Sequence, residues 1–445
     1  MVAVTVVLGV AAIAIAIGAI WLNSFIHSPG FKDEIESRAS QSLGGPVQID
    51  AVDFDVLHGI KLRGFATQID PGHDGGQGVV KINVAQVNCA YSLGDLLAGK
   101  LRLTGVTLEQ PQFTLTKQPA APPQSSAASE ISSTPGGATP SSSNAGGGMP
   151  FQFVLDRVKV SAGSVTVLDA SGATMVDLQG VNADADTSGY SEGKDVTGTI
   201  RVAQVTASNM QATNFSSPVA YHTNFFSALP LDATAYNGRL AGDFQMRDSG
   251  PSVLNLNGNG VDVEQLLAAS SPGSTVHLTG SLEFVSKWRN VESGILDGEG
   301  DAQLTNGKIE NMKILREISS LLRVKELNDP IITKATTHFV ARRRLIVFNG
   351  LQLNSPLFSM TGNGAVGLKG ELGADLVLIL SRDAMAKLPS ELAASLVQQP
   401  DGTGSIAFHV SGTTSSPHTN LAQRLLLQNT DIKSDLNKEL NNYLQ

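Results

Sequence analysis

The spacing of Gly362, Gly364 and Gly367 in "TGNGAVGLKG" is G-x-G-x-x-G, the fingerprint of a dinucleotide-binding turn. Such a turn works only between a strand and a helix, because the free amides at the helix N-terminus meet the pyrophosphate. Here "LKGELGADLVLIL" follows, with Gly370 and Gly373 where a helix should open and a two-residue period beyond them. The glycines are therefore expected at strand ends and turns, with no nucleotide bound. The histidines His27, His58, His73, His222, His277, His338, His409 and His418 are never paired at i+2, i+3 or i+4, so the sequence holds no local metal pair and no H-E-x-x-H helix. There is also no G-x-S-x-G elbow and no P-loop. Asp70 and Asp74 in "DPGHDGGQG" are too few acids for a calcium loop and read as a solvated turn. The single cysteine, Cys89 in "INVAQVNCAYSL", excludes an intramolecular disulfide and a thiolate zinc site and reads as a small apolar strand residue. No catalytic residue, cofactor or metal is expected, and the chain reads as a non-enzyme.

The one basic cluster of note is Arg342, Arg343 and Arg344, between the strand-like "THFVA" and "LIVFNG". A water-exposed hairpin tip accounts for it, and contact with lipid head groups is the functional alternative. The formal net charge of −9 gives the whole protein no field that would attract nucleic acid.

The elements around these residues follow from composition and period. Only 16% of the 445 residues are charged, against about 25% in ordinary soluble domains. With 45 glycines and many Val, Leu, Thr and Ser residues, this suggests strands joined by turns. "VAVTVVLGVAAIAIAIGAIWL", Val2 to Leu22, is uncharged and long enough to cross a bilayer as a helix, with Trp21 at its interfacial end. It is too long for a signal-peptide core and lacks a good cleavage site, so an uncleaved anchor is expected over residues 1–27. Ser28-Pro29 then opens a short helix whose stripe is Phe31, Ile35, Ala39 and Leu43. Strands follow to residue 117, with turns expected at Gly105 and Pro111. Residues 118–150, with Glu130 as their single charge, read as a flexible Pro/Ser/Gly-rich linker.

Alternation resumes at Phe151 and recurs to the C-terminus. Val158/Val160 precede Val165/Val167, with Ala162-Gly163 between them, and "ELGADLVLILS" places Leu372, Ala374, Leu376, Leu378 and Leu380 on one face. Three helices are predicted: one with Ile314, Leu315, Ile318, Leu321 and Leu322 on a single face, one broken at Pro389, and a C-terminal amphipathic helix. The last would pack across the end of the sheet or meet a partner or membrane. The expected division is 28–117, helix plus β; 151–297, central β; 298–415, C-terminal β; and 416–445, C-terminal helix. Abundant apolar strand faces without catalytic groups suit a lipid carrier. Moving a two-chain lipid through water costs on the order of 20 kcal/mol at about 0.8 kcal/mol per methylene. The competing reading is that the same face packs on a second sheet as an ordinary core.

Three stretches resemble the AsmA-like proteins of the bacterial envelope. They are "SLGGPVQIDAVDFDV" after the anchor and short helix, "SLGDLLAGKLRLTGVTLEQPQFTLTK", and the ordered set "GDAQLTNGKIENMKILREISSLL", "THFVARRRLIVFNGLQLNSPLFSMTGNGAVGL" and "GELGADLVLIL" between Gly298 and Val410. The basic N-terminal residues usual in that family are absent. The resemblance implies a single-pass inner-membrane anchor with the body in the periplasm. It also implies an elongated, curved antiparallel β-groove related to bridge-like lipid-transfer proteins, with phospholipid as ligand, a role in outer-membrane lipid homeostasis and biogenesis, and an outer-membrane or periplasmic partner protein. About twenty strands at roughly 4.8 Å would span at most about 100 Å, short for a bridge. The groove-lining positions expected are Val165, Val167, Leu278, Phe284, Leu353, Met360, Leu376, Leu378 and Leu380. The alternative function is an assembly or scaffold factor for outer-membrane proteins that works through strand edges and binds no lipid.

Overall fold

The computed structural model describes residues 32–33, 36–37, 39–40, 44–55, 59–69, 78–92, 95, 101–117, 153–190, 195–247, 250–290 and 296–428. The expected anchor, the 118–150 linker and residues 429–445 lie outside these. Among the described residues no helix is long and apolar enough to cross a membrane. The described chain is mostly β, predominantly antiparallel with few helices, and divides into two compact units, Met1–Ser208 and Asn209–Gln445.

The first unit contains β1 (Val47–Gln48), β2 (Ala51–Asp55), β3 (Gly59–Ile69), β4 (Gly78–Tyr91), β5 (Leu101–Glu109), β6 (Gln112–Lys117), β7 (Phe153–Leu155), β8 (Arg157–Leu168), β9 (Thr174–Asp186) and β10 (Val196–Ala207). Both β1 and β2 pair with β3, which pairs with β4. β5 and β6 lie end to end along β4, with Glu109 opposite Gln86 and Gln112 opposite Asn83. Pro111 therefore interrupts one long run instead of turning a hairpin, and β5 continues through Gly105, where the register against β4 slips. β5 pairs in parallel with β7 and β8, and β6 with β8, so the residues on either side of 118–150 are hydrogen-bonded to each other. A parallel partner needs a connection that returns along the strand. The segment 118–150 thus links paired strands of one unit and does not separate two domains. Ahead of β1, Glu36 Oε1 accepts from the Ile49 amide at 2.7 Å and Ser40 Oγ from the Val47 amide at 2.9 Å. These bonds tie the short helical stretch to the first strands. Of its predicted stripe only Ala39 is described, and it is buried.

The second unit is an antiparallel meander: β11 (Met210–His222), β12 (Phe225–Ala235), β13 (Gly238–Arg247), β14 (Val253–Asp262), α1 (Val263–Ser270), β15 (His277–Arg289), β16 (Leu296–Glu310), α2 (Lys313–Leu322), β17 (Ile331–Arg343), β18 (Leu345–Asn354), β19 (Phe358–Gly367), β20 (Leu372–Leu380), α3 (Arg382–Met385), α4 (Ser390–Ala394), β21 (Val397–Gln398), β22 (Gly404–Gly412), β23 (Pro417–Thr419) and α5 (Leu421–Gln428). β15 and β16 pair along their whole length, across the boundary expected at 297. The predicted face of α2 is buried at all five positions, and the helix ends at Arg323 in the left-handed region (φ 58°). α3 and α4 flank Pro389 as expected. α1 was not foreseen. Its signal is Asp262, whose carboxylate accepts from the Glu264 and Gln265 amides as an N-cap.

Bulges keep one face apolar along strands of ten or more residues. In β18 the inward residues are Ile346 and Phe348, then Leu351 and Leu353, so even numbers give way to odd. Between them β18 has one residue more than either neighbour, and Gly350 sits at φ 61°. β14 makes the same change of phase between Gly258 and Val261, β12 between Ala228 and Leu231, and β8 between Val160 and Gly163. Ala162-Gly163 is thus a bulge inside one strand, where the sequence suggested a break between two. The left-handed geometry of such a bulge suits glycine.

Two predictions follow from this packing. Gly350→Val should lower the urea midpoint of the second unit by the equivalent of about 1–3 kcal/mol, and Gly350→Asn by less. Deleting Gly350 should turn Leu351 and Leu353 outward and abolish hydrogen-exchange protection in β18 and β19. The second concerns Glu317 on α2, which accepts from Thr419 Oγ1 at 2.5 Å. Burial raises its pKa above 4.5, outweighing the opposing Thr419 bond and His418. As pH rises through 4.5 the unfolded chain loses this proton first, so Glu317 costs stability from there up to its folded pKa and beyond. Glu317→Gln should raise the urea midpoint at pH 7 and leave it nearly unchanged at pH 3.5. A larger gain at the acidic pH would contradict the sign.

Candidate functional site

Paired residues in a sheet share a face, so register defines the candidate site directly. One row in the second unit runs Val219, Ala228, Phe244, Leu254, Trp288, Gly298, Ala341, Ile346, Val366, Leu372 across β11 to β20. The next runs Leu231, Gly242, Leu256, Ser286, Gly300, Phe339, Phe348, Gly364, Ala374, Val410 from β12 to β22. Ser286 is the only side chain with a polar atom in that row, and it is satisfied. It donates to the Leu256 carbonyl at 3.1 Å and accepts from Trp288 Nε1 at 3.0 Å. The opposite face is polar: Asp232, Ala241, Asn257, Val285, Asp301, His338 and Asn349 form one of its rows.

Glycine and aromatic residues are matched across strands on the apolar face. A Cβ added to Gly258 would collide with the Phe284 ring. At Gly298 it would lie 2.5 Å from Trp288, at Gly300 2.9 Å from Phe339, and at Gly364 2.5 Å from Phe348. Each ring lies over a position with no side chain, which lets bulky groups lie down along the sheet. Neighbouring rings also meet, with centroids 6.2 Å apart for Phe226 and Phe244 and 6.1 Å for Trp288 and Phe339.

The face has a closed part and an open part. Residues of α2 to α5 and their connections gather over Phe358, Met360, Leu376, Leu378, Leu380, Ile406, Phe408 and Val410 in one buried core. Met360, Leu376, Leu378 and Leu380, expected to line a groove, are 6%, 7%, 1% and 0% exposed in it. Leu278 and Leu353 pack against its margin. Phe284 lies beyond it and is half-buried, as are Phe226, Phe244, Leu254, Leu256, Trp288, Phe339 and Ile346. Val165 and Val167 belong to the first unit. Val165 sits in the row Ile82, Phe113, Val165, Leu178, Val205, and both valines are half-buried. The open aromatics other than Phe284 were missed. For Trp288 and Phe339 the signal is a large ring opposite a glycine in the neighbouring strand, visible only once register is known, whereas Phe226 and Phe244 face no glycine.

The groups screened for chemistry take structural positions. Gly362 and Gly364 lie inside β19, opposite Leu376 and Ala374, and Gly367 ends it; a turn and β20 follow, where a dinucleotide site needs a helix. The expectation of strand ends and turns holds for Gly367 and is corrected for Gly362 and Gly364, which lie within the strand. His338 Nδ1 meets Asp301 at 3.0 Å and His409 Nδ1 meets Asp375 at 2.8 Å, both exposed cross-strand pairs on the polar face. Among the described residues no three His, Cys, Asp or Glu side chains converge on a metal-sized site. Burial pushes the Cys89 thiol up to about 12, which keeps it protonated and unreactive. Arg342 to Arg344 are exposed at the β17–β18 tip.

No family model, curated protein or solved structure matches the chain.

The matching of ring and glycine makes a test. In a Trp21→Phe background, Gly298→Val should push the Trp288 ring off the sheet, with a red-shifted emission maximum and stronger acrylamide quenching. Unchanged emission would mean that the ring does not depend on the empty position beneath it.

Proposed function

We propose that this protein is a membrane-anchored lipid-binding protein whose open apolar sheet face takes up phospholipid acyl chains. The observation that carries the reading is the contrast within one face. Apart from the satisfied Ser286 the two rows of the second unit are apolar, yet α2 to α5 close only one part and leave the aromatic part half-buried. A monomeric soluble domain rarely leaves a contiguous apolar surface of that kind uncovered without a ligand for it. Acyl chains fit it because they are apolar, flexible and indifferent to hydrogen-bond geometry, while the head group can stay in water. No catalytic group is required.

The resemblance to AsmA-like proteins supplies the setting of the proposal. Residues 1–27 anchor the chain in a bacterial inner membrane as a single pass, the body lies in the periplasm, and bound phospholipid supports outer-membrane lipid homeostasis and biogenesis. Within the first unit, Val165 and Val167 are the lipid-binding positions of this reading. In the second unit the lining shifts from Leu376, Leu378 and Leu380 to Phe244, Phe284 and Phe339. Acids introduced at the first three would sit in the core and unfold it.

Mass spectrometry of the full-length protein purified from its native membrane should find stoichiometric phospholipid. The triple variant Phe244→Asp, Phe284→Asp, Phe339→Asp should lose most of it with an unchanged far-ultraviolet circular dichroism spectrum. Val285→Asp, at a 61% exposed position on the polar face, should keep it. A wild-type protein free of lipid would favour the assembly or scaffold factor instead.

A further inference from the structure

Two neighbouring hairpin tips combine charge and exposed apolar surface in a way no other described part of the chain does. The β17–β18 tip carries Arg342, Arg343 and Arg344, followed by Leu345, which is 45% exposed. The β19–β20 tip carries Leu368, 53% exposed, and Lys369. The tips are joined: the Leu368 amide donates to the Arg344 carbonyl at 2.9 Å, and Leu345 is in register with Gly367. Arg343 holds a left-handed φ of 56°, which makes the turn tight and presents consecutive arginines at its apex.

These cations are not held within the fold. Arg63, Arg102, Arg157 and Arg239 each have an aspartate partner, whereas among the described residues Arg342, Arg343, Arg344 and Lys369 have none. The acids nearest in register are Asp297 on β16, opposite Arg342, and Glu371 just before β20, so these four cations and two acids sum to 4 − 2 = +2 in a chain of net charge −9. Unpaired cations mixed with exposed leucines match the interface of a bilayer with anionic head groups, where arginine meets phosphate and leucine enters the acyl boundary. Nucleic acid would use the cations but give the leucines no partner.

We infer that the β17–β18 and β19–β20 tips form a docking surface for an anionic membrane. This goes beyond the acyl-chain reading, because it concerns a bilayer met as a surface and depends only on the chemistry of the tips. It also orients the second unit: the apolar row that runs through Ile346 and Val366 lies next to the docked tips, one residue along the strands from Leu345 and Gly367. A lipid leaving the bilayer would reach the open face at that end.

Vesicle flotation tests the surface with the full-length chain held in phosphatidylcholine nanodiscs. Vesicles of phosphatidylcholine containing about one-third phosphatidylglycerol should capture it, while pure phosphatidylcholine vesicles should not, and about 0.5 M salt should release it. The triple variant Arg342→Gln, Arg343→Asn, Arg344→Gln should weaken capture by on the order of a hundredfold. The triple lysine variant should retain capture, which separates lost charge from lost fold. Leu345→Ser with Leu368→Ser should weaken capture severalfold at low salt. Equal capture by neutral vesicles, wild-type capture of the triple variant, loss of capture in the lysine variant, or retention on polyuridylate without capture by vesicles would each overturn the inference. Lipid measured by mass spectrometry reports separately on the acyl-chain face, so either reading can fail without the other.

Discussion

The constraint on which the second unit depends is that side chains alternate strictly with a period of two, while its strands run to ten or more residues through twisted sheet. A single extra residue sends every following side chain to the other face. β12, β14 and β18 each contain such a residue, and in each the apolar pattern changes phase at the same point. Bulge and pattern compensate, and the face stays apolar across the irregularity. Either one without the other would place leucines among the Asn and Asp residues of the polar face.

Glycine serves this sheet in two distinct ways. Gly260 and Gly350 supply left-handed backbone at bulges, with nothing close to their missing side chains. Gly258, Gly298, Gly300 and Gly364 sit in regular strand, and what matters there is the space above them, which a ring from the next strand fills. Glycine within a strand ordinarily weakens it, and a cross-strand aromatic returns part of the lost burial. The G-x-G-x-x-G spacing arises from this arrangement: Gly362 and Gly364 face the same side because they are two apart, under Leu376 and Phe348. A low-profile face also results, since rings lying along the sheet leave fewer knobs than rings standing up from it.

Much of this was legible in the sequence, and the misreadings share a cause. β20 and α2 were clear because their periods are unbroken: Leu372 to Leu380 at every second residue, and Ile314 to Leu322 on one helical stripe. Wherever the phase slipped, at Gly105, Pro111 or Ala162-Gly163, the sequence looked like two strands and a turn. A bulge and a turn use the same residues, and only the partner strand distinguishes them. The parallel pairing across 118–150 was equally invisible, because a long polar connection carries no record of what its ends bind. Nor could periodicity divide the candidate site. Leu378 and Phe284 alternate in the same manner, yet one faces helices and the other does not, and that depends on where chain distant in sequence returns.

That division bears on why an open apolar face is compatible with a folded unit. The core over β19, β20 and β22 buries large side chains at 0–9% exposure and is where tertiary stability concentrates. The remaining strands gain little from a second layer and are held by continuous antiparallel ladders, ring-on-glycine packing and cross-strand pairs on the polar face such as Arg239 with Asp232 and His338 with Asp301. Apolar area left in water forgoes about 25 cal/mol per Å², so the open strands are less stable than they would be under helices. An occupant that covers this area recovers the difference. It must be apolar, since the rows offer no unsatisfied polar group to a ligand, and it must conform to a surface several strands wide. These two requirements, set by the sheet itself, are what acyl chains meet and what a folded protein partner with fixed side chains meets poorly.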